Sequence, residues 1–202
     1  MSKAKTDLPA VRLNAAVLTI SDRRGPDDDT SGDYLAASLT DSGHYCVQRA
    51  ISRDNIYAIR ALLSQWILDP EINVIICNGG TGFSHKKSTI AAVTPLLDQV
   101  ITGFGEQFRY LSYQDIGSSA LQSDALAGTA NRTLLFCIPG SGGACKLAWE
   151  KILKEQLDSR HHPCNFASEY LEPPKPRKNR QASPSPPKLP DGKGLVTDKS
   201  DD

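Results

Sequence analysis

Two glycine-rich loops carry the residues best suited to hold an anion. Gly79-Gly80-Thr81-Gly82 follows the apolar run Asn73–Cys77, and Gly140-Ser141 follows the apolar run Thr133–Ile138. Where side chains are absent, backbone N–H groups can approach a phosphate, and the Thr81 hydroxyl could add a hydrogen bond. Ser141 could cap a following helix whose free N–H groups face an oxyanion. A tight turn and an ordinary helix cap are the alternatives.

A third loop combines hydroxyl, acidic and basic side chains. After the apolar run Arg12–Ile20 come Ser21-Asp22-Arg23-Arg24 and then Asp27-Asp28-Asp29. The three aspartates could help hold a cation, or they could face solvent where negative charge suits the start of a helix. Taken together, the three loops favour a ligand that carries phosphate groups.

Alternating strand and helix patterns would bring these loops together. Apolar runs and helical spacing predict, in chain order, strand Arg12–Ile20, helix Thr30–Ser42, strand Tyr45–Ile51, helix Asn55–Leu68, strand Asn73–Cys77, helix Ser88–Gln99, helical turns Glu106–Leu111, a hairpin of Leu121–Gly128 with Thr133–Ile138, and helix Ala144–Leu157. This order predicts an α/β fold, a mostly parallel sheet with helices on both faces. Ligands of such sheets collect at the carboxyl ends of the strands, where the three loops would lie.

Composition limits the partners. Of 202 residues, 23 are Lys or Arg and 23 are Asp or Glu, so no global charge favours nucleic acid or an anionic membrane. The N-terminus lacks a signal-like apolar core, and no stretch approaches the roughly 20 apolar residues of a membrane span, which predicts a cytoplasmic protein. The predicted domains are an N-terminal arm over 1–10, a folded domain over 11–170, and a disordered tail over 171–202 that is rich in proline and lysine.

The cysteines and histidines do not form a recognisable metal site. The five cysteines make no CxxC pair, and Cys46, Cys77 and Cys137 lie in apolar segments, which predicts reduced core residues. His161-His162-Pro163-Cys164 could suggest a metal ligand set, but no second pair frames it, so a structural segment is the preferred interpretation. No metal ligand is assigned.

The ordered motifs LTISDRRGPDDDTSG, GGTGF, GFGE, LSY, ALAG, PGS, ACKLAWE and HHPCNF resemble the molybdopterin-binding family that contains molybdenum cofactor biosynthesis protein B and molybdopterin adenylyltransferase. The resemblance spans about residues 10–168. It implies a three-layer α/β/α domain, assembled into homo-oligomers such as trimers or hexamers. It also implies that molybdopterin binds with its terminal phosphate in the glycine and serine loops. In active members Mg²⁺ and ATP join the pterin, and AMP is transferred to that phosphate.

Carried over residue by residue, the resemblance implies site roles for matching positions. It implies that Gly79, Gly80, Thr81 and Gly82 cradle phosphate, that Ser21 and Asp22 line the pocket, and that Gly140 and Ser141 form a second anion loop. Glu106 and Ser123 match motif positions without an assigned role. The partners it implies are molybdopterin and other proteins of the cofactor pathway.

Three positions depart from the pattern of active adenylyltransferases. The acid expected five residues after GGTG is replaced by Lys87, which follows Lys86. The acid expected after the second strand is replaced by Arg53, and Asp54 comes one residue later. An arginine expected after Ser123 is replaced by Asp124. The two lysines could hold phosphate themselves. Two hypotheses follow: a pterin-binding protein without catalysis, or an active Mg²⁺/ATP-dependent adenylyltransferase whose magnesium is held by Asp22, Asp54 or the loop 27–29. An unrelated nucleotide-binding domain is a third.

Overall fold

A computed structural model describes residues 9–83 and 87–171. Its strands are β1 (Asn14–Ile20), β2 (Tyr45–Ser52), β3 (Val74–Gly79), β4 (Gln99–Val100), β5 (Leu126–Ala130) and β6 (Thr133–Ile138). Its helices are α1 (Thr30–Asp41), α2 (Ile56–Leu68), α3 (Thr89–Val93), α4 (Thr102–Ile116), α5 (Gly142–Ala148), α6 (Lys154–Gln156) and α7 (Phe166–Leu171), with a π-helical turn Trp149–Leu153 joining α5 to α6. Short 3₁₀ turns span Pro26–Asp28, Thr94–Leu96 and Gly117–Gln122.

The six strands form one sheet in the order β2-β1-β3-β6-β5-β4. β2, β1, β3 and β6 are parallel neighbours, while β5 runs antiparallel to both β6 and β4. The loops that follow β1, β3 and β6 therefore leave the same edge of the sheet side by side. Because β5 enters where β6 ends, the segment before β5 also lies at this edge.

Strand side chains alternate between two cores, one on each face of the sheet. Val17 of β1 and Phe136 of β6 pack with α1, α4 and α5 on one face. Leu18 and Leu135 point the other way and pack with α2 and α3. Strands buried on both faces give the continuous apolar runs seen in the sequence. The predicted three-layer α/β/α fold is confirmed.

Two predicted elements were wrong in extent. The helix predicted over Ser88–Gln99 stops at Val93, because Pro95 follows within a 3₁₀ turn and cannot donate a helical hydrogen bond. Gln99 instead joins the short strand β4, which pairs with β5. The strand predicted from Leu121 begins only at Leu126, because a 3₁₀ turn occupies Gly117–Gln122.

The predicted hairpin of β5 and β6 is present with a tighter turn. Ala130 pairs with Thr133, which leaves only Asn131 and Arg132 in the connection. Both residues have positive φ, at 44° and 69°, as a two-residue turn between twisted strands requires. The Asn131 side chain fixes this turn by donating to the Ile67 carbonyl at 2.9 Å.

Cys77 and Cys137 are fully buried neighbours on β3 and β6, and all five cysteines are free thiols. The hydrogen bond with Cys77 and burial raise the pKa of Cys137 well above its usual range. Burial raises the pKa of Cys145 to about 11. Cys77 and Cys137 are therefore buried core residues, as predicted from their apolar surroundings, whereas Cys46 is only partly buried; Cys145, for which no core position was predicted, is buried as well.

The predicted arm and tail fall outside the described residues, apart from residues 9, 10 and 171, and the domain boundaries stay predictions. Among the helices that the structure describes, none combines the length and apolar character needed to cross a bilayer. The predicted cytoplasmic location stays a prediction.

His44 gives the fold a specific sensitivity to acid. It is buried, and its Nδ1 accepts the Leu13 N–H at 3.2 Å at the start of β1. Burial lowers the pKa of His44, an effect that the Asp158 carboxylate partly opposes. The unfolded chain therefore takes up this proton at higher pH than the folded one does, so this stability is present above about pH 6.5 and is lost as pH falls through the folded pKa.

We predict that lowering the pH from 7.5 to 5 reduces the urea midpoint more in the wild type than in His44→Asn, whose Oδ1 keeps an acceptor at the Nδ1 position but does not titrate. Unfolding curves at several pH values measure the difference. An equal loss in both proteins would show that His44 does not link folding to pH.

Candidate functional site

The loop after β3 turns sharply on three glycines. Gly79, Gly80 and Gly82 have φ of +93°, +60° and +94°, which residues with a side chain rarely adopt. A Cβ on Gly79 would collide with the Ile20 carbonyl, and one on Gly80 would collide with the Thr89 hydroxyl and lie 2.6 Å from Ile20 Cγ2. The glycines therefore let this loop fold tightly against the end of β1.

The loop after β6 touches the loop after β3. A Cβ on Gly140 would lie 2.8 Å from Gly79 Cα and 3.1 Å from its N, so the two backbones meet with no room for a side chain. Ser141 caps α5 by accepting the Ala144 N–H at 3.3 Å, and its side chain remains exposed. The structure thus brings together the two glycine loops that the sequence singled out.

A network of hydrogen bonds between buried polar side chains stabilises this edge of the sheet. Asn78 Nδ2 donates to Thr19 Oγ1 at 2.8 Å, and the Thr19 hydroxyl donates to Asp29 Oδ2 at 2.7 Å. Asp29 Oδ1 caps α1 by accepting the Gly32 N–H at 3.0 Å. Arg49 approaches Asp29 at 3.5 Å and pairs more closely with Asp33 at 2.7 Å. Asp29 therefore acts as a helix cap and buried acceptor.

Two buried polar atoms beside the loops are left without hydrogen bonds. Asn78 Oδ1 and Thr81 Oγ1 have no partner among the residues that the structure describes. A buried polar group without a partner costs about 1–3 kcal/mol, so such groups call for an explanation. Their position at the β3 edge fits a site that binds a polar ligand.

Asp22 and Asp54 are neighbours, as candidate catalytic residues should be, but both carboxylates already accept backbone hydrogen bonds. Asp22 Oδ1 accepts the Asp54 N–H at 3.0 Å. Asp54 Oδ1 accepts the Ser88 N–H at 2.8 Å. The two acids thereby tie the ends of β1 and β2 to the segment that begins α3. Lys87 precedes Ser88 and is exposed, and Lys86 lies outside the described residues.

No magnesium site is assigned at this edge. Mg²⁺ needs oxygen ligands, usually including carboxylates. Within residues 9–83 and 87–171, no group of three His, Cys, Asp or Glu side chains is arranged to hold a metal ion. Arg53 occupies the position of the family's acid and lies on the wall of a cavity at the ends of β1 and β2. Asp54, one residue later, accepts the Ser88 N–H instead. The carboxylate that the active pattern requires is thus not supplied to the cavity by Asp54.

That cavity has a volume of about 800 Å³ and lies where β1 and β2 end. Its wall includes Ser21, whose hydroxyl accepts the N–H groups of Arg23 and Arg24 at 3.2 and 3.1 Å. Arg24 Nη1 in turn donates to the Ser31 hydroxyl at 3.1 Å, and Ser31 Oγ donates to the Gly140 carbonyl at 3.0 Å. The loop after β1 is therefore connected to the loop after β6 through hydrogen bonds.

Ser123 lies close to the glycine loops, whereas Glu106 is not joined to them by any described hydrogen bond or ion pair. Ser123 lies before β5, and a Cβ on Gly82 would approach the neighbouring Gln122 carbonyl at 3.3 Å, which places this segment beside the first glycine loop. Glu106 is exposed on α4, where no hydrogen bond or ion pair joins it to the loops within the described part of the chain. The structure brings Ser123 close to the site and gives no such contact for Glu106.

Several residues of this edge had no role in the sequence analysis. Asn78, Ser31 and Ser88 all make contacts that depend on side chains or backbone far away in the chain. Asn78 could have been identified from the sequence, since it is a polar residue that ends an apolar strand immediately before glycines. Ser31 and Ser88 gave none, because serines near helix starts are common caps.

The fold and the edge define a three-layer α/β/α protein whose candidate site lies where parallel strands end. The model of the family described as "Probable molybdopterin binding domain" matches residues 16–159. The chain belongs to this family, as its motifs predicted.

Similar proteins carry more specific names. The chain is 49% identical over 166 residues to molybdenum cofactor biosynthesis protein B of Escherichia coli K12, which covers 82% of this chain and 96% of that protein. The protein of the same name from Staphylococcus carnosus is 45% identical over 157 residues, covering 74% and 89%.

Solved structures agree with this relationship. A crystal structure of a molybdenum cofactor biosynthesis protein B is similar with a TM-score of 0.72 and 38% identity, over 74% of this chain and 94% of that chain. The tungsten cofactor synthesizing protein of Pyrococcus furiosus is similar with a TM-score of 0.66 and 29% identity, over 71% and 92%.

We predict that Gly80→Ala lowers the free energy of unfolding by at least about 2 kcal/mol, through its positive φ and the contacts with Thr89 and Ile20. Gly103→Ala is the control, because nothing lies within 4 Å of its Cβ and alanine favours the α4 helix by up to about 1 kcal/mol. Urea unfolding of both variants measures this. A Gly80→Ala protein as stable as the wild type would contradict the described loop conformation.

Proposed function

We propose that this protein binds molybdopterin, with the terminal phosphate of the pterin held by the two glycine loops. The observation that carries the proposal is the contact between Gly140 and Gly79, which puts both loops at one point of the sheet edge. Family membership supplies the ligand class. Gly79–Gly82 and Gly140–Ser141 would donate backbone N–H groups, and Thr81 would donate its hydroxyl.

Local charge supports binding of an anion without a metal ion. Lys87 stands where active adenylyltransferases have an acid, with Lys86 beside it in the sequence, and Arg53 stands at the second acidic position. At about 4 Å, two like unit charges repel by roughly 4 kcal/mol at an effective dielectric of about 20, and a divalent cation meets about twice that repulsion. The same side chains attract a phosphate. We therefore propose a binding or carrier role in molybdenum cofactor synthesis, without AMP transfer.

Adenylyl transfer is the second candidate, because Asp22 and Asp54 lie side by side at the correct edge. In that case both would be catalytic, with ATP and Mg²⁺ as co-substrate and cofactor. Transfer of a phosphoryl-type group depends on positioning and on cations that neutralise phosphate charge. The present hydrogen bonds of the two acids favour the binding role. We propose that Ser21 and Ser123 line the pterin pocket in either case. Glu106 matches a family motif but is exposed on α4, so it is included only on that resemblance.

The proposed assembly is a homo-oligomer, a trimer or a hexamer, that receives molybdopterin from and passes it to other proteins of the pathway. Light scattering of the purified protein measures the oligomeric state. A monomer at micromolar concentration would contradict it.

We predict that Thr81→Val weakens molybdopterin binding about tenfold, since a hydrogen bond to a charged group contributes about 1.5 kcal/mol or more. Its stability should be unchanged or higher, because the variant removes a buried hydroxyl that has no partner among the described residues. Thr89→Val is the control, because that hydroxyl donates to the Gly79 carbonyl at 2.8 Å and should cost about 1 kcal/mol of stability when removed. Calorimetric titration and urea unfolding measure the two effects. Destabilisation by Thr81→Val with normal binding would assign Thr81 a structural role.

We predict that the protein binds molybdopterin equally well in EDTA and in Mg²⁺, and forms no adenylylated product from ATP. An active adenylyltransferase of the family serves as the positive control, and product is measured by chromatography. Magnesium-dependent turnover that disappears in Asp22→Asn would establish the second candidate instead.

A further inference from the structure

The two most exposed large apolar side chains of the described residues belong to segments that meet at the first glycine loop, Gly79–Gly82. Phe83 is 93% exposed and Leu121 is 84% exposed. Phe83 directly follows Gly82 in the chain. A Cβ on Gly82 would lie 3.3 Å from the carbonyl oxygen of Gln122, the residue after Leu121. Two segments that are far apart in the sequence therefore meet here, and each exposes an apolar side chain to solvent.

The position of these side chains makes them informative. Single apolar residues are common on protein surfaces and need no explanation. Two on neighbouring segments, beside backbone that has no room for side chains and beside the unpartnered Thr81 hydroxyl, are typical of a binding surface. Contact with a bound ligand would remove this apolar surface from water, which favours binding.

The two sides of the glycine loops differ in chemistry. Toward β1 and β2, the cavity wall carries four arginine and two aspartate side chains. Leu121 lies on the other side, in the 3₁₀ turn that leads to β5. A phosphate held between the loops thus has charged groups on one side and apolar groups on the other. The flat, uncharged rings of a pterin fit the apolar side better.

We propose that Phe83 and Leu121 form a ring subsite, which contacts the pterin rings of molybdopterin and directs them toward the β5 side of the sheet edge. Phe83 is bonded to Gly82, so its ring can reach a group attached to a phosphate in that loop. Aromatic side chains stack on flat heteroaromatic rings, and Leu121 adds apolar contact. The inference rests on the proposed function, because it takes the position of the phosphate from the glycine loops. It adds two residues that select a ligand by its rings.

The test titrates the full chain and its variants with molybdopterin. We expect Phe83→Ala to weaken binding about tenfold, as loss of a stacked aromatic side chain does, and Leu121→Ala to weaken it about fivefold. Phe83→Trp should restore binding, and its added indole emission should be quenched as the pterin binds. The urea midpoints should not change, because both side chains are exposed.

Leu68→Ala is the matched control. Leu68 is 74% exposed and ends α2, which returns the chain to the opposite edge of the sheet, where β3 begins. Its substitution should change binding less than twofold. Losses in Leu68→Ala equal to those in Phe83→Ala, or failure of Phe83→Trp to restore binding, would overturn the ring subsite.

Two further outcomes separate this subsite from the proposed function. Binding that is weakened in Thr81→Val but unchanged in Phe83→Ala and Leu121→Ala would overturn the ring subsite and leave the proposed function standing. Wild-type protein that does not bind molybdopterin would overturn both. Light scattering covers the remaining alternative, because dissociation of an oligomer by both alanine variants would assign the two side chains to an interface between copies and overturn the ring subsite.

Discussion

The contact between the backbones of Gly79 and Gly140 is the constraint on which the candidate site depends. β3 and β6 are adjacent parallel strands, so the chain leaves both at the same edge and must turn twice in one small volume. Neither turn has room for a Cβ at the contact, and Gly79 also has a backbone conformation that side chains disfavour. The result is two stretches of backbone close enough to share one bound group.

The buried polar chain beneath this edge explains how it keeps its shape. Asn78, Thr19 and Asp29 lie among apolar strands, where each polar atom needs a partner. Their hydrogen bonds join β3 to β1 and then to the start of α1, and Arg49 reaches the same carboxylate from β2. Substitution of any one member would leave the others short of a partner. Asn78 Oδ1 and Thr81 Oγ1, which have no partner in the described part of the chain, are the exceptions that favour a ligand.

Much of the fold was predictable because strands buried on two faces give continuous apolar runs, whereas the helices between them have apolar residues at helical spacing. The glycine loops were predictable for the same reason, since they follow those runs directly. Pro95 was the missed signal that ended α3 early. The roles of Asp54 and Ser31 were not predictable, because each depends on partners at Ser88 and Gly140 that only the assembled sheet brings near. Whether Asp54 can replace the acid expected at position 53 can be decided only from the three-dimensional structure.

Amide chemical shifts test the central claim most directly, because each backbone N–H of the two loops can be followed separately as molybdopterin is added. The account predicts that the amides of Gly79–Gly82 and Gly140–Ser141 shift together and reach saturation at the same ligand concentration. Shifts confined to one loop, or to a surface away from this edge, would contradict the claim that both loops bind one phosphate.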